Sequence, residues 1–284
     1  MSTKPALIIH VGAGAYPKDL KRARRIQAQL KKFCEEGLQF LKKHSAVETA
    51  VEIARRLEDW PETNAGIGSV LQSDGEARLS ASLMDGFKMK FSGVVNVEKI
   101  KNPILIAHLL QKEKDRILAG EGAYQFAKKN GFKEFELRTV ESIQRWKKLL
   151  KAGKYGTVGA CALDRHGRLA AATSTGGKGM ERVGRVSDSC LPAGNFANAF
   201  AAISATGLGE DIVEEALAST IAARALDLKN LKQTLEQTFA AAKKRKRRFA
   251  VIAIDRFGNT FQSKTTEILY YASRTTSSAD CFSL

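Results

Sequence analysis

Apolar residues along the first sixty positions follow two different spacings. Residues 6–11 are almost continuously apolar, which predicts a buried strand that runs into a tight turn at 12–14. Residues 19–41 carry apolar side chains three to four positions apart, the spacing of an amphipathic helix. Ser45 and Glu48 form a candidate capping box for a second helix. The chain is therefore predicted to open with a strand and two helices.

Two hairpins with one shared pattern predict strands in the second half of the chain. Each has an apolar strand, an Asp-x-x-Gly turn and a second strand, at 157–174 and at 249–266. Residues 69–72 and 77–84 predict another strand pair around a Ser-Asp-Gly turn. Helical patterns are predicted at 102–111, 121–130, 195–205, 210–225 and 231–244. Strands at the ends of each half with helices between them predict two sheets faced by helices.

Length and composition are those of an ordinary soluble globular protein. The 284 residues suffice for one large domain or two small ones, and 44% of them are hydrophobic. No apolar run approaches the ~20 residues that a membrane helix needs, and the start lacks the apolar core of a signal peptide. The four cysteines are scattered, which indicates free thiols in the reducing cytoplasm. The four histidines show no zinc-binding spacing.

The charge of the chain changes this picture. The net charge is +16 and the pI about 9.7, and basic residues concentrate at 18–32, 146–154 and 243–248. Nucleic-acid binding and a solvated basic surface both explain such a charge. The first two runs fall in predicted helices or a linker and have no aromatic residues spaced as a stacking platform. We therefore favour the solvated surface.

Thr157 is the candidate nucleophile. It follows a polar and basic segment at 132–155 that shows no apolar face and that we interpret as exposed helix or linker, and a predicted strand begins at it. If the chain is cut before Thr157, its hydroxyl becomes a nucleophile and its own α-amine becomes the base. A Gly-Thr dipeptide alone is common, so this hypothesis depends on its context.

That context is a series of short motifs that match one family in order over nearly the whole chain. The motifs are NAGIG at 64–68, MDG at 84–86, NP at 102–103, GEGA at 120–123, GTVGA at 156–160, AATSTGG at 171–177, GRV at 184–186, DS at 188–189, AG at 193–194 and SATGLGE at 204–210. The chain resembles the plant-type asparaginases and isoaspartyl peptidases, which are N-terminal-nucleophile hydrolases.

The resemblance implies an α+β fold, a four-layer αββα sandwich, made as an inactive precursor. The precursor would cut itself between Gly156 and Thr157. Residues 1–156 would form an α subunit, whose last part, 132–156, is the exposed linker, and residues 157–284 a β subunit. Together they would form one structural domain. The activity implied is hydrolysis of the β-aspartyl amide of L-asparagine and isoaspartyl dipeptides.

Roles for single residues follow from the resemblance as well. It implies a nucleophile, a hydroxyl that tunes it, two oxyanion donors and a nearby asparagine: Thr157, Thr175, Thr206, Gly207 and Asn64. It implies a substrate grip in which a guanidinium binds the α-carboxylate, while a carboxylate and a backbone carbonyl bind the α-ammonium: Arg185, Asp188 and Gly209.

Chemistry alone leaves alternatives for several of these residues. Thr175 also fits a strand-end threonine that caps its own backbone, and Arg185 with Asp188 also fits a surface ion pair. For Asn64, ordering of a loop is as good an interpretation as catalysis, because asparagine favours turns.

The family carries a structural sodium ion, held mostly by backbone carbonyls. The resemblance places it on the carbonyls of Leu57, Glu58, Trp60, Thr63, Ala65 and Ile67. It implies no cofactor for catalysis, an amino-acid or dipeptide substrate, and a dimer of αβ units. From the charge pattern and the lack of a long apolar run, we expect neither a nucleic-acid nor a membrane partner.

The chain departs from the family pattern at four places. Val11 and Ser187 stand where the family has glycine, and Ser80 stands where aspartate is usual. If position 187 needs a positive φ, serine strains the loop by about 1–2 kcal/mol. The run 243–248, Lys-Lys-Arg-Lys-Arg-Arg, replaces a glycine-rich turn. We interpret it as a helix end rich in cations rather than as a patch for an acidic partner.

Two other functions stay open at this point. One is an uncleaved, degenerate scaffold that binds nucleic acid or another polyanion with its basic surface. The other is an amidohydrolase of different specificity, such as a glycosylasparaginase, since residues outside the motifs set the leaving group.

Overall fold

A computed structural model describes residues 4–148 and 156–284 as two stacked β-sheets with helices on both outer faces. The strands are β1 (Ala6–Gly14), β2 (Leu79–Asp85), β3 (Lys90–Val97), β4 (Ile117–Ala119), β5 (Val158–Leu163), β6 (Leu169–Thr175), β7 (Asn195–Ala197), β8 (Ala201–Gly207), β9 (Phe249–Asp255), β10 (Thr260–Lys264), β11 (Ile268–Thr275) and β12 (Ala279–Cys281). The α-helices are α1 (Leu20–Leu41), α2 (Ala46–Glu58), α3 (Pro103–Leu110), α4 (Gly120–Lys129), α5 (Val140–Lys148), α6 (Gly209–Glu214), α7 (Leu217–Leu228) and α8 (Leu231–Lys244).

The layers follow the order helix, sheet, sheet, helix. The first sheet has the strand order β12-β11-β1-β5-β6-β2-β3-β4, and the second has the order β10-β9-β8-β7. Helices α1, α2 and α3 pack on the first sheet, whereas α7 packs on the second. Strands β1, β5 and β6 face β8 and β9 across the interior. This is the α+β, αββα sandwich that the motifs predicted.

The predicted helix starts and hairpins are confirmed in their local chemistry. The Asp19 carboxylate caps α1 by accepting the N–H of Arg22 at 2.9 Å. Ser45 and Glu48 form the reciprocal capping box at the start of α2. In the β5–β6 turn the side chain of Asp164 accepts two backbone N–H groups, and Asp255 does the same in the β9–β10 turn.

The helix predicted at 195–205 is wrong, because this segment forms β7 and β8. Its alanines favour a helix locally, but β8 is buried between the first sheet and α7, where small side chains let the layers approach. The helix predicted at 210–225 is interrupted at Ala216, whose φ of 43° is left-handed and separates α6 from α7.

The strand pair predicted at 69–84 is also wrong in its partner. Residues 69–72 form no strand, and β2 pairs with β3 and β6 instead. No strand was predicted at the position of β3. The turn predicted at 12–14 instead continues β1, with a register shift between His10 and Ala13. Gly12 lies in this irregularity with a φ of 116°, which explains the glycine there.

The segment before Thr157 is more closely packed than predicted. Its helix α5 places Ile143 and Trp146 against the main core, and the Trp146 indole Nε1 donates to the carbonyl of Gln72 at 2.9 Å. The remainder of the predicted linker, 149–155, lies outside the described residues. In the described part of the chain no helix is both long and apolar enough to cross a membrane.

A small polar layer joins the two sheets in the interior. Ser204 Oγ on β8 lies 2.9 Å from His10 Nε2 and 2.7 Å from Thr173 Oγ1, so β1, β6 and β8 share one hydroxyl. Burial lowers the pKa of His10 to about 3, which keeps its ring neutral. Gly159 on β5 has no room for a side chain, since an added Cβ would lie 2.0 Å from Ser204 Oγ.

We predict that Gly159→Ala lowers the free energy of unfolding by about 1–3 kcal/mol, because the added methyl group overpacks this layer. Gly122→Ala in α4 is the matched control, because its added Cβ would meet no atom within 4 Å. That control should stabilise by up to about 1 kcal/mol through helix propensity. Urea denaturation of both variants checks the prediction, and equal stabilities would contradict it.

Candidate active site

Thr157 lies at the start of β5, held against the end of β6. The antiparallel register pairs Val158 with Ser174, which brings Thr157 opposite Thr175. Thr157 is 9% exposed, and its Oγ1 donates to Thr175 Oγ1 at 3.2 Å. The N–H of Gly177 donates to the same Thr175 oxygen at 3.1 Å. Thr175 therefore both caps its own turn and contacts the candidate nucleophile, and this position is compatible with both interpretations of the residue.

Asn64 links three parts of the site. Its backbone N–H donates to the carbonyl oxygen of Gly156 at 3.2 Å, the carbonyl next to Thr157. Its side chain accepts the N–H of Val70 at 3.0 Å and donates to the carbonyl of Gly177 at 2.6 Å. The side chain thus orders two loops, while the backbone N–H polarises the carbonyl of the predicted cleavage site.

Thr206 and Gly207 end strand β8 of the second sheet. Thr206 is buried, and among the described residues its Oγ1 has no hydrogen-bond partner. Gly207 has a φ of +139° and an added Cβ would lie 2.6 Å from the carbonyl oxygen of Arg248, so glycine is required here. A buried hydroxyl without a partner costs free energy, which is typical of a donor reserved for a ligand.

Arg185, Asp188 and Gly209 meet at one point. An added Cβ at Gly209 would lie 2.4 Å from Arg185 Nη2 and 2.8 Å from Asp188 Oδ1. Asp188 is buried, and its Oδ2 has no partner in the described part of the chain. Arg185 Nε donates instead to Glu210 Oε1 at 3.2 Å. The alternative of a simple surface ion pair is therefore wrong, because the carboxylate is buried and the guanidinium has another partner.

The charge state of Asp188 is set by two opposing effects. Burial raises the pKa of its carboxyl to about 6, although the nearby Arg185 guanidinium pulls that pKa down, and Glu210 adds a further upward contribution. At neutral pH the carboxylate is charged and short of partners. Such a carboxylate favours a ligand that is both a cation and a hydrogen-bond donor.

The three single-residue departures have different consequences. Ser187 has a φ of −85°, so the strain expected for serine there is absent. Ser80 is buried and its Oγ accepts the N–H of Asn96 at 3.0 Å. Val11 lies on β1 and lines a cavity together with Asn64 and Gly156, beside the predicted cleavage site.

The basic run at 243–248 is partly neutralised by α6. Arg245 pairs with Glu215, and Arg247 pairs with Asp211, Glu214 and Glu215. The first two lysines of the run lie in the last turn of α8, where cations favour the helix dipole. These contacts support the interpretation as a charged helix end over that of a polyanion patch.

The loop after α2 gathers backbone oxygens where the sodium site is predicted. Thr63 Oγ1 lies 2.7 Å from the carbonyl oxygen of Leu57, 2.9 Å from that of Trp60 and 3.5 Å from that of Ala65. An added Cβ at Gly66 would lie 2.1 Å from the carbonyl oxygen of Glu58. One hydroxyl proton cannot satisfy several acceptors. This excess of hard oxygen donors fits a sodium ion.

Side-chain metal ligands are a separate question. The described residues contain no group of three or more His, Cys, Asp or Glu side chains placed to hold a metal ion. All four cysteines are free thiols, as predicted.

Sequence reasoning missed the polar layer directly behind the site. Ser204 lies two positions before Thr206 on β8, and Thr173 lies two positions before Thr175 on β6, so each pair shares one strand face. This period-two spacing can be recognised in the sequence. Which strands meet across the interior cannot be predicted from it. Glu210, the partner of Arg185, stands out in the sequence only as the last residue of the motif at 204–210.

Comparisons with known proteins complete the description. A family model described as asparaginase matches residues 3–155 and 150–282. The chain is similar to the isoaspartyl peptidase/L-asparaginase of Nostoc sp. strain PCC 7120, at 42% identity over 95% of this chain and 91% of the relative. It is 41% identical to the protein of that name from Synechocystis sp. strain PCC 6803, over 95% and 88%. It is 34% identical to the plant-type L-asparaginase of Pyrococcus horikoshii, over 94% and 95%.

Proposed function

The chain belongs to the asparaginase family, and from that premise we propose a threonine hydrolase that acts on L-asparagine and isoaspartyl dipeptides after cutting itself at Gly156–Thr157. The names of its relatives support the substrate class. One observation carries the proposal: the Thr157 hydroxyl is buried against Thr175 at 3.2 Å, directly beside the peptide bond to be cut.

Self-cleavage begins in the continuous chain. Thr157 Oγ1 attacks the Gly156 carbonyl carbon, and the negative charge that forms on the carbonyl oxygen is stabilised by the Asn64 N–H, 3.2 Å away. The C–N bond breaks, the nitrogen takes the proton that Oγ1 gives up, and the acyl group is left as an ester on Oγ1. Water hydrolyses this ester, which releases a Gly156 carboxylate and a free α-amine on Thr157.

Substrate hydrolysis reuses the same hydroxyl. The free α-amine accepts the proton of Oγ1, which attacks the β-carbonyl carbon of the substrate. Thr206 Oγ1 and the Gly207 N–H stabilise the oxyanion, and loss of one such donor typically costs about 2.7–4 kcal/mol of barrier. The ammonium returns its proton to the departing ammonia or amino acid. Water then hydrolyses the aspartyl ester to aspartate.

The grip on the substrate explains why one site serves both substrates. Arg185 binds the α-carboxylate, while Asp188 and the Gly209 carbonyl bind the α-ammonium. L-Asparagine and isoaspartyl dipeptides present the same zwitterionic head group and the same β-carbonyl. The buried Asp188 oxygen, which has no partner among residues 4–148 and 156–284, supports this assignment.

We further propose a structural sodium ion in the loop after α2. The carbonyls of Leu57, Glu58, Trp60, Thr63, Ala65 and Ile67 would hold it, and the acceptors around Thr63 Oγ1 support the site. The ion would stabilise the loop that presents Asn64, with no part in the chemical steps. A dimer of αβ units, the cytoplasmic location and the subunit division at 156 stay predictions.

Thr157→Ala should stay a single chain, because it lacks the attacking oxygen, whereas the parent protein should yield a fragment that begins at Thr157. N-terminal sequencing and intact-mass measurement of both proteins after the same incubation check this. Thr157→Ser, which keeps a hydroxyl, should cleave slowly. A parent chain that stays uncut, or an Ala variant that is cut at the same bond, would contradict the proposal.

Gly209→Ala should weaken the binding of L-aspartate about tenfold or more, since its methyl group would displace Arg185 and Asp188. Isothermal titration calorimetry measures the affinity, and Gly122→Ala, remote from the site, serves as the matched control. Unchanged affinity in Gly209→Ala would rule out this substrate grip.

The value of kcat/KM for L-asparagine should fall about tenfold per pH unit below pH 6. The pKa of Asp188 is about 6, so its carboxyl becomes neutral at lower pH and loses its attraction for the α-ammonium. Glu210→Gln removes a neighbour that raises this pKa, so the acidic limb of the profile should move to lower pH. A limb that stays in place in Glu210→Gln would argue against Asp188 as its origin.

A further inference from the structure

A cavity of about 310 Å³ opens beside the oxyanion donor Gly207. Its wall includes Leu208, Arg248, Glu267 and residues 13–15 at the end of β1. Residues 13–15 also line the neighbouring cavity that contains Gly156 and Asn64. The two cavities therefore share a wall, and the second of them reaches the predicted cleavage site at Gly156.

The cavity lies on the side of Gly207 that the substrate head group leaves free. Arg185, Asp188 and Gly209 hold that head group, and they do not line the cavity. With the β-carbonyl fixed at Gly207, the group attached through the scissile amide must extend away from the head group. The space open to it is bounded by Leu208, Arg248 and residues 13–15.

We propose that this cavity is the subsite for the leaving amino acid of isoaspartyl dipeptides, with Arg248 binding its α-carboxylate. The proposal rests on the function proposed above and deepens it. Arg248 is then a specificity-determining residue, since L-asparagine releases ammonia and offers it no carboxylate.

Arg248 is placed for this role by its backbone. Its N–H donates to Asp211 Oδ2 at 2.7 Å, and its carbonyl accepts the N–H of Leu208 at 2.8 Å. These two bonds tie it to the segment that follows the oxyanion residues. A fixed backbone with a long cationic side chain suits capture of a carboxylate at the rim of a site.

The charges around the cavity leave Arg248 available. Its neighbours Arg245 and Arg247 are occupied by acidic residues of α6 and of its C-cap. In the described part of the chain, no carboxylate forms an ion pair with the Arg248 guanidinium. Glu267, the anion of the cavity, accepts the backbone N–H of Tyr16 at 2.7 Å. The carboxylate is thus held by the loop, and the guanidinium is the group free to meet a ligand.

The test compares three substrates in the parent protein and Arg248→Ala: β-aspartyl-leucine, its C-terminal carboxamide, and L-asparagine. Arg248→Ala should lower kcat/KM for the free dipeptide about threefold to fivefold, as expected for one solvent-exposed ion pair. Rates on the carboxamide and on L-asparagine should change less than about twofold, since neither has the carboxylate.

Lys244→Ala is the matched control, because Lys244 is an exposed cation of the same basic run that does not line the cavity. It should leave all three rates unchanged, which separates a specific contact from the general positive field. An equal loss on free acid and carboxamide, an equal loss on L-asparagine, or the same loss in Lys244→Ala would each overturn the proposal.

Different experimental results would contradict the proposed subsite and the proposed function. If the ratios of kcat/KM between the three substrates are unchanged in Arg248→Ala and L-asparagine is hydrolysed normally, only the proposed subsite is overturned. A cleaved parent protein that hydrolyses none of the three substrates would overturn the proposed function and the subsite with it.

Discussion

The backbone register between β5 and β6 is the constraint on which the site depends. Antiparallel pairing of Val158 with Ser174 places Thr157 and Thr175 side by side at the open end of the two strands. Both strands are buried and central in the first sheet. A slip by one residue would turn either hydroxyl to the opposite face. Sheet hydrogen bonds therefore fix the position of the candidate nucleophile.

The second sheet contributes Thr206 and Gly207 to the candidate site. Its strand β8 ends at Thr206 and Gly207, so these proposed oxyanion donors approach from the opposite layer. The shared hydroxyl of Ser204 ties this strand to His10 and Thr173. The buried hydroxyl of Thr206 and the carboxylate of Asp188 both lower stability, because each holds a polar atom without a partner among the described residues. Such groups are characteristic of a site organised for a ligand.

Much of this arrangement was predictable from local signals, and the rest depended on tertiary packing. Asp164 and Asp255 marked their hairpins because an aspartate that accepts backbone N–H groups has one local geometry. The alanines of β8 wrongly predicted a helix, because helix propensity is a weaker effect than burial of the segment between two layers. The φ of Ser187 could likewise not be predicted, because the conformation of a loop depends on residues that lie far away in the sequence. The motifs indicate the candidate site residues, whereas the Arg185–Glu210 pair is evident only in the folded structure.

In the proposed reaction Thr157 carries the acyl group during turnover, and acid quenching of the processed enzyme during hydrolysis of L-asparagine tests this role most directly. Peptide mapping by mass spectrometry should find an aspartyl ester on the peptide that begins at Thr157. Tandem fragmentation should place it on the hydroxyl of that residue. An adduct on another residue, or rapid turnover with no adduct on that peptide when quenching precedes deacylation, would contradict the account.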